Sequence, residues 1–423
     1  MRFHNLSEWL AWQEKLHFTE IDPGLERVEQ VYRRLIPKSI AFTIITVAGT
    51  NGKGSSVQML ESILRAAGYK TGSYTSPHLM RYNERICVNG IPCSDETICQ
   101  AFEAIDTVRE DISLTYFEFG TLAAINIFKQ QNVDIVIMEV GMGGRLDATN
   151  LLDADIALIT PISIDHTAWL GNNREEIAYE KAGILRSQHP LVCSEKTPPN
   201  SVLVKAADLS VPVYKAGDAF SWNEDGQSWS WHNDNYQWDH LPKPALEGRY
   251  QLQNSAAVLQ VVSLLTQKGF EITRAAVETG LRQVKLLGRF QRYPGKIEHI
   301  FDVTHNAQGA ENLAELLAEI PASGKTIAVL AMLKDKDVAS VVKPLNNLIS
   351  QWYVGGIKGL RGMSAETLSH QIEEVTTTEV YQYQTVSQAF KAAMQVASEG
   401  DRLLIFGSFH TVGEVMKLDL DLG

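Results

Sequence analysis

The chain has 423 residues, of which 44% are hydrophobic and 21% are charged, a composition that excludes disorder as its main state. The 50 acidic residues outnumber the 38 basic ones, so the formal net charge is −12. This charge argues against non-specific binding to nucleic acid or to an anionic membrane. The length predicts two or three domains.

Several features of the sequence indicate the cellular compartment in which the protein is expected. The longest apolar run, residues 40–48, is far shorter than the ~20 residues of a membrane-spanning helix. The N-terminus lacks the uninterrupted apolar core of a signal peptide. The four cysteines form no CxxC pair, which indicates buried thiols rather than a disulfide scaffold. We therefore expect a cytoplasmic protein.

The N-terminal part of the chain alternates strand-like and helix-like segments. Residues 42–49, 133–141 and 155–164 are continuous β-branched apolar runs, the pattern of buried parallel strands. Residues 220–241 differ, because their tryptophans are separated by the turn-like clusters NEDG and HNDN. This pattern predicts a small antiparallel meander with an aromatic face, for which local packing is favoured over a stacking surface for a ligand.

A second α/β block follows the segment LLGRFQRYPG, residues 286–295. Its strand-like segments are IEHIFDVT, TIAVLAML, WYVGGI, EVYQYQ and RLLIFGS, and helical runs lie between them. The glycines and the proline of the preceding segment make it a candidate hinge. We predict an N-terminal domain over residues 1–287, a hinge over 288–296 and a C-terminal domain over 297–423.

The sharpest chemical signal is AGTNGKGS, residues 48–55, which follows a strand and precedes a helix. Its glycines allow backbone N–H groups to close around phosphate oxygens, and the helix N-terminus adds positive potential. Lys53 would reach the β- and γ-phosphates, and Ser55 would support phosphate or Mg²⁺. The spacing departs from an ordinary Walker A loop, since Val47 replaces the first glycine and Gly54 separates Lys53 from Ser55. A merely structural turn is disfavoured by three glycines and a lysine in so short a segment.

The predicted fold class is α/β. A P-loop-type parallel-sheet ATPase domain carries a small antiparallel β subdomain, and a second, Rossmann-like α/β domain follows.

Three side chains at predicted strand ends are candidate magnesium ligands. Ser76 follows the strand KTGSYT, Glu139 ends VDIVIME, and His166 follows DIALITPISID. Ligand sites gather at the carboxyl ends of strands in an open α/β sheet, so these groups are expected near the phosphate loop. Each alone is weak, because a glutamate near a strand end is usually solvated and a lone histidine is usually structural.

Other segments leave their interpretation open. GMGGRLDATN, residues 141–150, combines three glycines with an arginine and an aspartate, which suggests close approach of the backbone to a ligand. Arg289, in the hinge, would contact a nucleotide phosphate when the domains close, or form an interdomain salt bridge. The segment Gly407–His410 follows a strand and opens a helix, for which capping is a sufficient explanation. Lys181 lies on a predicted helix, and physics alone does not single it out.

Taken together, these segments resemble the dihydrofolate synthase/folylpolyglutamate synthase family of the Mur ligase superfamily, especially its bifunctional bacterial members. The resemblance runs from about Leu16 to His410. The matching motifs, in chain order, are HFTEIDPGLERV, AGTNGKGS, YTSPHLMRYNERI, SLTYFEFGTLAA, MEVGMGGRLDATN, SIDHTAWLG, EKAGI, LGRFQ, FDVTHN and FGSFHTV. Departures are small: Thr304 stands where the family often has alanine, and QNSAA replaces an NAA-type run, which weakens only the adenine-side assignment.

The resemblance implies residue roles. Lys53, His166 and Lys181 would be catalytic, and Lys181 would be carbamylated. The implied ATP-binding residues are Thr50, Asn51, Gly52, Lys53, Gly54, Ser55, Asn254, Arg289 and Asp302. The implied magnesium ligands are Ser76, Glu139 and His166. The implied pteroate- or folate-binding residues are Asp22, Pro23, Gly24, Leu25, Thr115, Tyr116, Phe117, Glu118, Leu146, Asp147 and Ala148.

The same resemblance implies an activity. ATP would phosphorylate a carboxylate of dihydropteroate or of a reduced folate, and L-glutamate would attack the acyl phosphate. The cofactors would be ATP and Mg²⁺, with a monovalent cation such as K⁺ as an option, and the enzyme would be a monomer. No nucleic-acid or membrane partner is expected.

Three alternatives stay open at this point. One is a monofunctional folylpolyglutamate synthase. A second is a cell-wall Mur ligase, but only 48 residues precede Gly49, too few for the nucleotide-sugar domain of those enzymes. The third is a P-loop nucleotide switch, which would need neither a glutamate site nor a hinged second domain.

Overall fold

The computed structural model describes residues 2–418. The chain forms two compact units. Among the described residues, the first unit comprises residues 2–77, Asn83–Ala245 and Gln251–Lys285. The second unit comprises His78–Tyr82, Leu246–Tyr250 and residues 286–418.

The strands are β1 Thr43–Ala48, β2 Thr71–Tyr74, β3 Ile86–Val88, β4 Ile91–Pro92, β5 Ile135–Glu139, β6 Ile156–Ile159, β7 Leu191–Cys193, β8 Val213–Lys215, β9 Phe220–Asp225, β10 Ser228–Asn233, β11 Gln237–Pro242, β12 Gln291–Tyr293, β13 Glu298–Asp302, β14 Thr326–Leu330, β15 Gln351–Gly355, β16 Val380–Tyr383 and β17 Arg402–Phe406. The helices are α1 Leu6–Leu16, α2 Glu26–Leu35, α3 Lys53–Ala66, α4 Asp95–Arg109, α5 Tyr116–Gln130, α6 Thr167–Leu170, α7 Arg174–Lys181, α8 Asn200–Asp208, α9 Arg249–Gln267, α10 Arg274–Gln283, α11 Ala307–Glu319, α12 Val338–Val342, α13 Ala365–Glu373, α14 Val386–Val396 and α15 Phe409–Leu418.

The first unit is built on an eight-stranded sheet of order β4-β3-β2-β5-β1-β6-β7-β8. Neighbours from β2 through to β8 pair in parallel, whereas β3 pairs antiparallel with both β2 and β4 at one edge. The central strands β5 and β6 are buried along their whole length, as continuous apolar runs require. The predicted parallel α/β fold is confirmed.

The aromatic segment forms the predicted meander, a three-stranded antiparallel sheet of order β11-β10-β9. Trp229 and Trp231 are completely buried. The Trp231 indole donates to the Ala256 carbonyl of α9 at 3.0 Å, and the Trp229 indole donates to the Pro242 carbonyl at 2.8 Å. These two tryptophans pack within the unit, as the favoured interpretation predicts.

The second unit contains a six-stranded sheet of order β12-β13-β17-β14-β15-β16. Its strands pair in parallel except β12, which is antiparallel to β13. Strand β12 lies inside the segment predicted as a hinge, so part of that segment is an edge strand. Residues 78–82 and 246–250, assigned to the first domain from the sequence, group with the second unit. The predicted limits of the hinge stay a prediction.

Within residues 2–418, no helix is long and apolar enough to cross a membrane. All four cysteines are free thiols, and three of them are buried, as predicted.

Candidate active site

Four adjacent parallel strands of the first sheet bring the predicted catalytic segments to one edge. Their order is β2-β5-β1-β6. Ser76 follows β2, Glu139 is the last residue of β5, the phosphate loop follows β1, and His166 lies beyond the end of β6. Val47 lies opposite Glu139 in the register of β1 and β5, one residue before the loop begins. The topology therefore places these segments at the carboxyl edge of the sheet, and their joint role in a site stays a prediction.

The phosphate loop has a backbone that glycine makes possible. Gly49 has φ 148° and Gly52 has φ 91°, and Gly52 is the N-cap of α3. A Cβ atom on Gly49 would lie 1.8 Å from Thr160 Oγ1. The Lys53 ammonium donates to two carbonyls of the loop, that of Gly49 at 3.2 Å and that of Thr50 at 3.1 Å. A glycine-rich loop and a lysine thus lie together at a helix N-terminus, a setting that is suited to phosphate.

The segment after β6 is tied directly to the phosphate loop. The backbone N–H of Thr50 donates to the Pro161 carbonyl at 2.9 Å. The Thr50 hydroxyl donates to the Ser163 carbonyl and accepts from the Ser163 N–H, both at 3.0 Å. His166 follows three residues later with φ 53°, and 31% of its side chain is exposed. The His166 side chain is therefore accessible, while the backbone of residues 161–163 is held by hydrogen bonds to the phosphate loop.

Helix α9 contributes two buried amides next to the phosphate loop. A Cβ atom on Gly52 would lie 2.6 Å from Asn254 Oδ1, so the Asn254 side chain packs directly on the loop. The Asn254 amide donates to Gln251 Oε1 at 3.1 Å, and the Gln251 amide donates to the Ser55 hydroxyl at 3.2 Å. The structure thus brings predicted residues Asn254 and Ser55 together through Gln251, which the sequence analysis did not single out.

Lys181 is the buried cation of the site. Its Nζ donates to the Gly49 carbonyl at 2.9 Å, the same oxygen that Lys53 contacts. Burial, together with the neighbouring charge of Lys53, lowers the pKa of Lys181 to about 7. A helical lysine that looks ordinary in the sequence is therefore a largely desolvated amine at the phosphate loop.

The glycines of GMGGRLDATN lie in close contact with other segments of the protein, so a Cβ atom on them would meet protein atoms. A Cβ atom on Gly144 would lie 2.9 Å from the Glu180 carbonyl oxygen and 3.0 Å from that of Lys181. A Cβ atom on Gly183 would lie 2.3 Å from the Arg145 Cβ. The two motifs, GMGGRLDATN and EKAGI, therefore pack backbone to backbone, and this contact explains Gly144 and Gly183 without a ligand.

Glu139 and Ser76 provide a setting suited to a hard cation. Glu139 is buried, and its Oε2 accepts the backbone N–H of Ser76 at 3.2 Å. In the described part of the chain, no group of three His, Cys, Asp or Glu side chains could by itself hold a metal. Mg²⁺ usually keeps several waters and phosphate oxygens and takes only one or two carboxylates, so the Glu139 carboxylate and the Ser76 hydroxyl are donors of the kind it takes. The His166 imidazole is a nitrogen donor, which suits transition metals better, and its role as a magnesium ligand stays a prediction.

The segments predicted to line the pteridine site are linked by one charged network. Arg27 Nη1 contacts Asp22 Oδ2 at 2.6 Å, and Arg27 Nη2 contacts Glu118 Oε1 at 3.0 Å. Asp22 Oδ2 also lies 3.0 Å from Nε2 of the buried His17. Glu118 closes a capping box with Thr115 at the start of α5, and burial raises the pKa of Glu118. Arg27 thus fixes two of the predicted segments relative to each other.

Aromatic and acidic side chains continue this surface toward residues 146–148. Tyr74 and Phe117 lie with ring centroids 5.7 Å apart. A Cβ atom on Gly141 would lie 2.6 Å from Phe117 Cζ and 3.2 Å from Asp147 Oδ2, so these two predicted residues are neighbours. The Asp147 carboxylate accepts the Met142 and Thr149 N–H groups, and burial raises its pKa. Leu146 and Ala148 flank it in the chain.

Asp302 and Arg289 belong to the second unit. The Asp302 carboxylate accepts the Phe290 N–H and the Thr304 N–H, each at 2.8 Å. The Arg289 guanidinium lies over the Phe409 ring, 5.3 Å from its centroid. Asp302 therefore fixes the backbone next to Arg289, and the role of both residues in ATP binding stays a prediction.

Sequence reasoning missed several residues that organise the site. They are His17, Arg27, Thr160, Ser163 and Gln251. His17 and Arg27 lie inside the quoted motif HFTEIDPGLERV, so charge pairing within that motif was the signal available. Thr160 and Gln251 carry no signal in the sequence, because their contacts with the phosphate loop join residues about 110 and 200 positions apart.

The chain matches the models of two Mur ligase domains and is similar over almost its full length to known ligases. The Mur ligase middle domain matches residues 47–262, and the Mur ligase glutamate ligase domain matches residues 288–409. The chain is 41% identical to the dihydrofolate synthase/folylpolyglutamate synthase of Escherichia coli over 98% of its own length and 95% of that protein. This chain therefore belongs to the dihydrofolate synthase/folylpolyglutamate synthase family of the Mur ligases. The predicted family and its class of ATP-dependent ligases are confirmed.

Solved structures of relatives have the same fold. E. coli FolC in complex with DHPP and ADP superposes with a TM-score of 0.92 at 40% identity, covering 99% of this chain and 98% of that one. A bifunctional folylpolyglutamate synthase/dihydrofolate synthase with Mn, AMPPNP and L-glutamate bound gives a TM-score of 0.90 at 41% identity, with the same coverage. The predicted two-part α/β architecture is thus that of the family.

Proposed function

We propose that the protein joins L-glutamate to dihydropteroate to form dihydrofolate and extends reduced folates with further glutamates, at the expense of ATP. The observation that carries this proposal is the convergence, at one sheet edge, of a phosphate loop, two lysines and the buried Glu139. The ligands in the relatives' structures, a nucleotide, Mn and L-glutamate, are those the proposed reaction needs.

The proposed reaction has two chemical steps. A substrate carboxylate oxygen attacks the γ-phosphorus of ATP, ADP leaves, and an acyl phosphate forms. The glutamate amine then attacks the acyl carbon, loses a proton, and the tetrahedral intermediate expels inorganic phosphate to leave an amide. Such transfer depends on positioning and on neutralising phosphate charge, for which Lys53 and the loop N–H groups are suited.

We propose Ser76, Glu139 and His166 as the protein ligands of a magnesium ion. When bound, the ion would supply positive charge to the phosphate oxygens. Thr50, Asn51, Gly52, Gly54 and Ser55 would form the phosphate-binding loop. The Thr50 and Asn51 N–H groups donate to the Pro161 carbonyl, so these two residues would shape the loop, and Gly52, Gly54 and Ser55 would hold the phosphates. Asn254 would face the nucleotide, and Arg289 and Asp302 of the second unit would add to it. A monovalent cation is a further option.

We propose the surface around Arg27 as the pteridine site. Asp22 offers a carboxylate held in place by Arg27, and Phe117 offers an aromatic face. The buried Glu118 accepts from Arg27 and from the Thr115 N–H, so it would hold Arg27 and the start of α5 in position. Carboxylates that accept paired N–H donors are suited to an aminopyrimidinone ring, and aromatic rings are suited to its faces. Family resemblance further implies a cytoplasmic monomer.

The function is tested by a matrix of dihydropteroate and reduced folates, each incubated with ATP, Mg²⁺ and labelled glutamate, with products identified by mass. We expect dihydrofolate from dihydropteroate and glutamate-extended products from reduced folates. If only the extended products form, the bifunctional proposal is wrong and the enzyme is a monofunctional folylpolyglutamate synthase.

The acyl phosphate is tested separately with ¹⁸O in the substrate carboxylate. We expect one label to appear in the released inorganic phosphate, because the carboxylate oxygen that attacks phosphorus leaves with it. Retention of all label in the organic product excludes the intermediate.

A further inference from the structure

A single ion pair fixes the segment that links His166 to the phosphate loop. Arg174 Nε donates to the Ile162 carbonyl at 2.8 Å, and Arg174 Nη2 donates to Glu195 Oε1 at 2.7 Å. The other oxygen of Glu195 accepts the Ile162 N–H at 3.4 Å. Both backbone polar groups of Ile162 are therefore held by one arginine–glutamate pair.

The neighbours of Ile162 hold the phosphate loop. Pro161 accepts the Thr50 N–H, and Ser163 exchanges two hydrogen bonds with the Thr50 hydroxyl. Ile162 itself is 2% exposed, so its side chain anchors the same turn in the core. Any movement of Ile162 must therefore displace Thr50 or break its three hydrogen bonds.

The same pair is connected to the phosphate loop by a second route. Arg174 is the first residue of α7, and Lys181 is the last. The Lys181 amine donates to the Gly49 carbonyl. Glu195 follows β7, the strand beside β6 in the sheet. The loop, residues 161–163, the ion pair and α7 thus form a closed ring of contacts around the predicted phosphate site.

We infer that Arg174 and Glu195 are positioning residues that set the geometry of Thr50 and His166 for binding a nucleotide diphosphate with its metal ion. The inference rests on the proposed nucleotide site. The Arg174 side chain is 41% exposed and that of Glu195 is 17% exposed, so the ion pair is only partly desolvated and its contribution to the stability of the fold is modest. A small displacement of aligned phosphate-binding groups has a much larger effect on binding and reaction. The pair therefore matters more for the site than for the fold.

The test uses isothermal titration calorimetry of Mg·ADP, which requires no turnover. Arg174→Ala is expected to weaken Mg·ADP binding about tenfold. Arg174→Lys keeps the charge but replaces the two guanidinium nitrogens that bond Ile162 and Glu195 by a single ammonium nitrogen, so an intermediate loss is expected. Calorimetric affinity for dihydropteroate, whose proposed site uses other residues, should be unchanged. The thermal midpoint should fall by only about 2–4 °C.

Glu175→Gln is the matched control. Glu175 is the next residue of α7, is exposed, and accepts from Asn200 and Ser201 at the start of α8 rather than from the loop. Its substitution should leave the affinity for Mg·ADP at the wild-type value.

Three results would overturn the inference: unchanged Mg·ADP affinity in Arg174→Ala, equal losses for Mg·ADP and dihydropteroate, or a loss in Glu175→Gln as large as in Arg174→Ala. If Arg174→Ala does not fold, Arg174→Lys decides by the same measurements. Wild-type protein that binds Mg·ADP but makes no dihydrofolate or extended folate contradicts the proposed function alone. Wild-type protein that does not bind Mg·ADP contradicts both.

Discussion

Replacing Lys181 by alanine is expected to abolish most ligase activity, and added small carboxylic acids such as formate or acetate are expected to restore part of it. The reason is that we predict Lys181 to work as a carbamate. A buried amine with a pKa of about 7 is neutral in about half of the molecules at pH 7. The neutral amine attacks CO₂, forms an N–C bond and loses a proton, which yields a negatively charged carbamate.

The surroundings of Lys181 favour this change of charge. The Lys181 and Lys53 amines both contact the Gly49 carbonyl oxygen, so two ammonium groups in this place repel each other. A carbamate would replace that repulsion by attraction to Lys53 and would offer oxygen atoms to a hard cation or its water shell. Acidification below pH 7 protonates the amine and releases CO₂, so activity should fall on that side.

Lys181→Arg separates the carbamate from its alternative, an ammonium that contacts phosphate. Arginine keeps the positive charge and cannot form the carbamate under these conditions, so this variant should stay inactive with or without carboxylic acids. Wild-type protein equilibrated with ¹³CO₂ should show a carbamate carbon signal by NMR that Lys181→Ala lacks. Substantial activity in Lys181→Arg, or an absent signal in wild-type protein, would contradict the carbamate.

Local sequence patterns predicted the elements of the site because those patterns have local physical causes. The phosphate loop is visible because a buried strand, a glycine-rich turn and a helix start follow one another within a few residues. Ser76, Glu139 and His166 could be grouped because the carboxyl ends of parallel strands share one edge. The meander at residues 220–241 was predictable from alternation and turn residues, and the burial of Trp229 and Trp231 agrees with local packing.

Contacts between distant segments could not be predicted in the same way. The glycines of residues 141–144 suggested a ligand, but Gly144 is required by the Glu180 and Lys181 carbonyls. The burial of Lys181 follows from packing of α7 against the phosphate loop, which no helical pattern reveals. The strand β12 was hidden because a short edge strand has little hydrophobic patterning, and a sequence with two glycines and a proline reads as a hinge.

Replacing Gly49 by alanine is expected to lower kcat/KM at least ~100-fold. The new Cβ atom would lie 1.8 Å from Thr160 Oγ1 and 3.0 Å from the Thr160 backbone oxygen, so the loop must move. The Gly49 carbonyl accepts from both Lys53 and Lys181, so its displacement moves both amines away from the place where phosphate charge develops. Misplacement of about 1 Å is sufficient for a loss of this size. Steady-state kinetics with ATP as the varied substrate measures it.

Gly68→Ala is the control that separates the clash from the backbone strain. Gly68 has φ 91°, so alanine there has the same kind of backbone strain. A Cβ atom on Gly68 would have no heavy atom of the described residues within 4 Å, apart from those of its chain neighbours. Alanine there should therefore cost about 1–2 kcal/mol of stability and leave kcat/KM unchanged.

The double variant Gly49→Ala/Thr160→Ala removes the closest clashing atom but keeps the Thr160 backbone oxygen in place, so only part of the activity should return. Wild-type kinetics in Gly49→Ala, or equal losses in Gly49→Ala and Gly68→Ala, would show that the close approach of Gly49 to Thr160 does not control the positions of the two lysines.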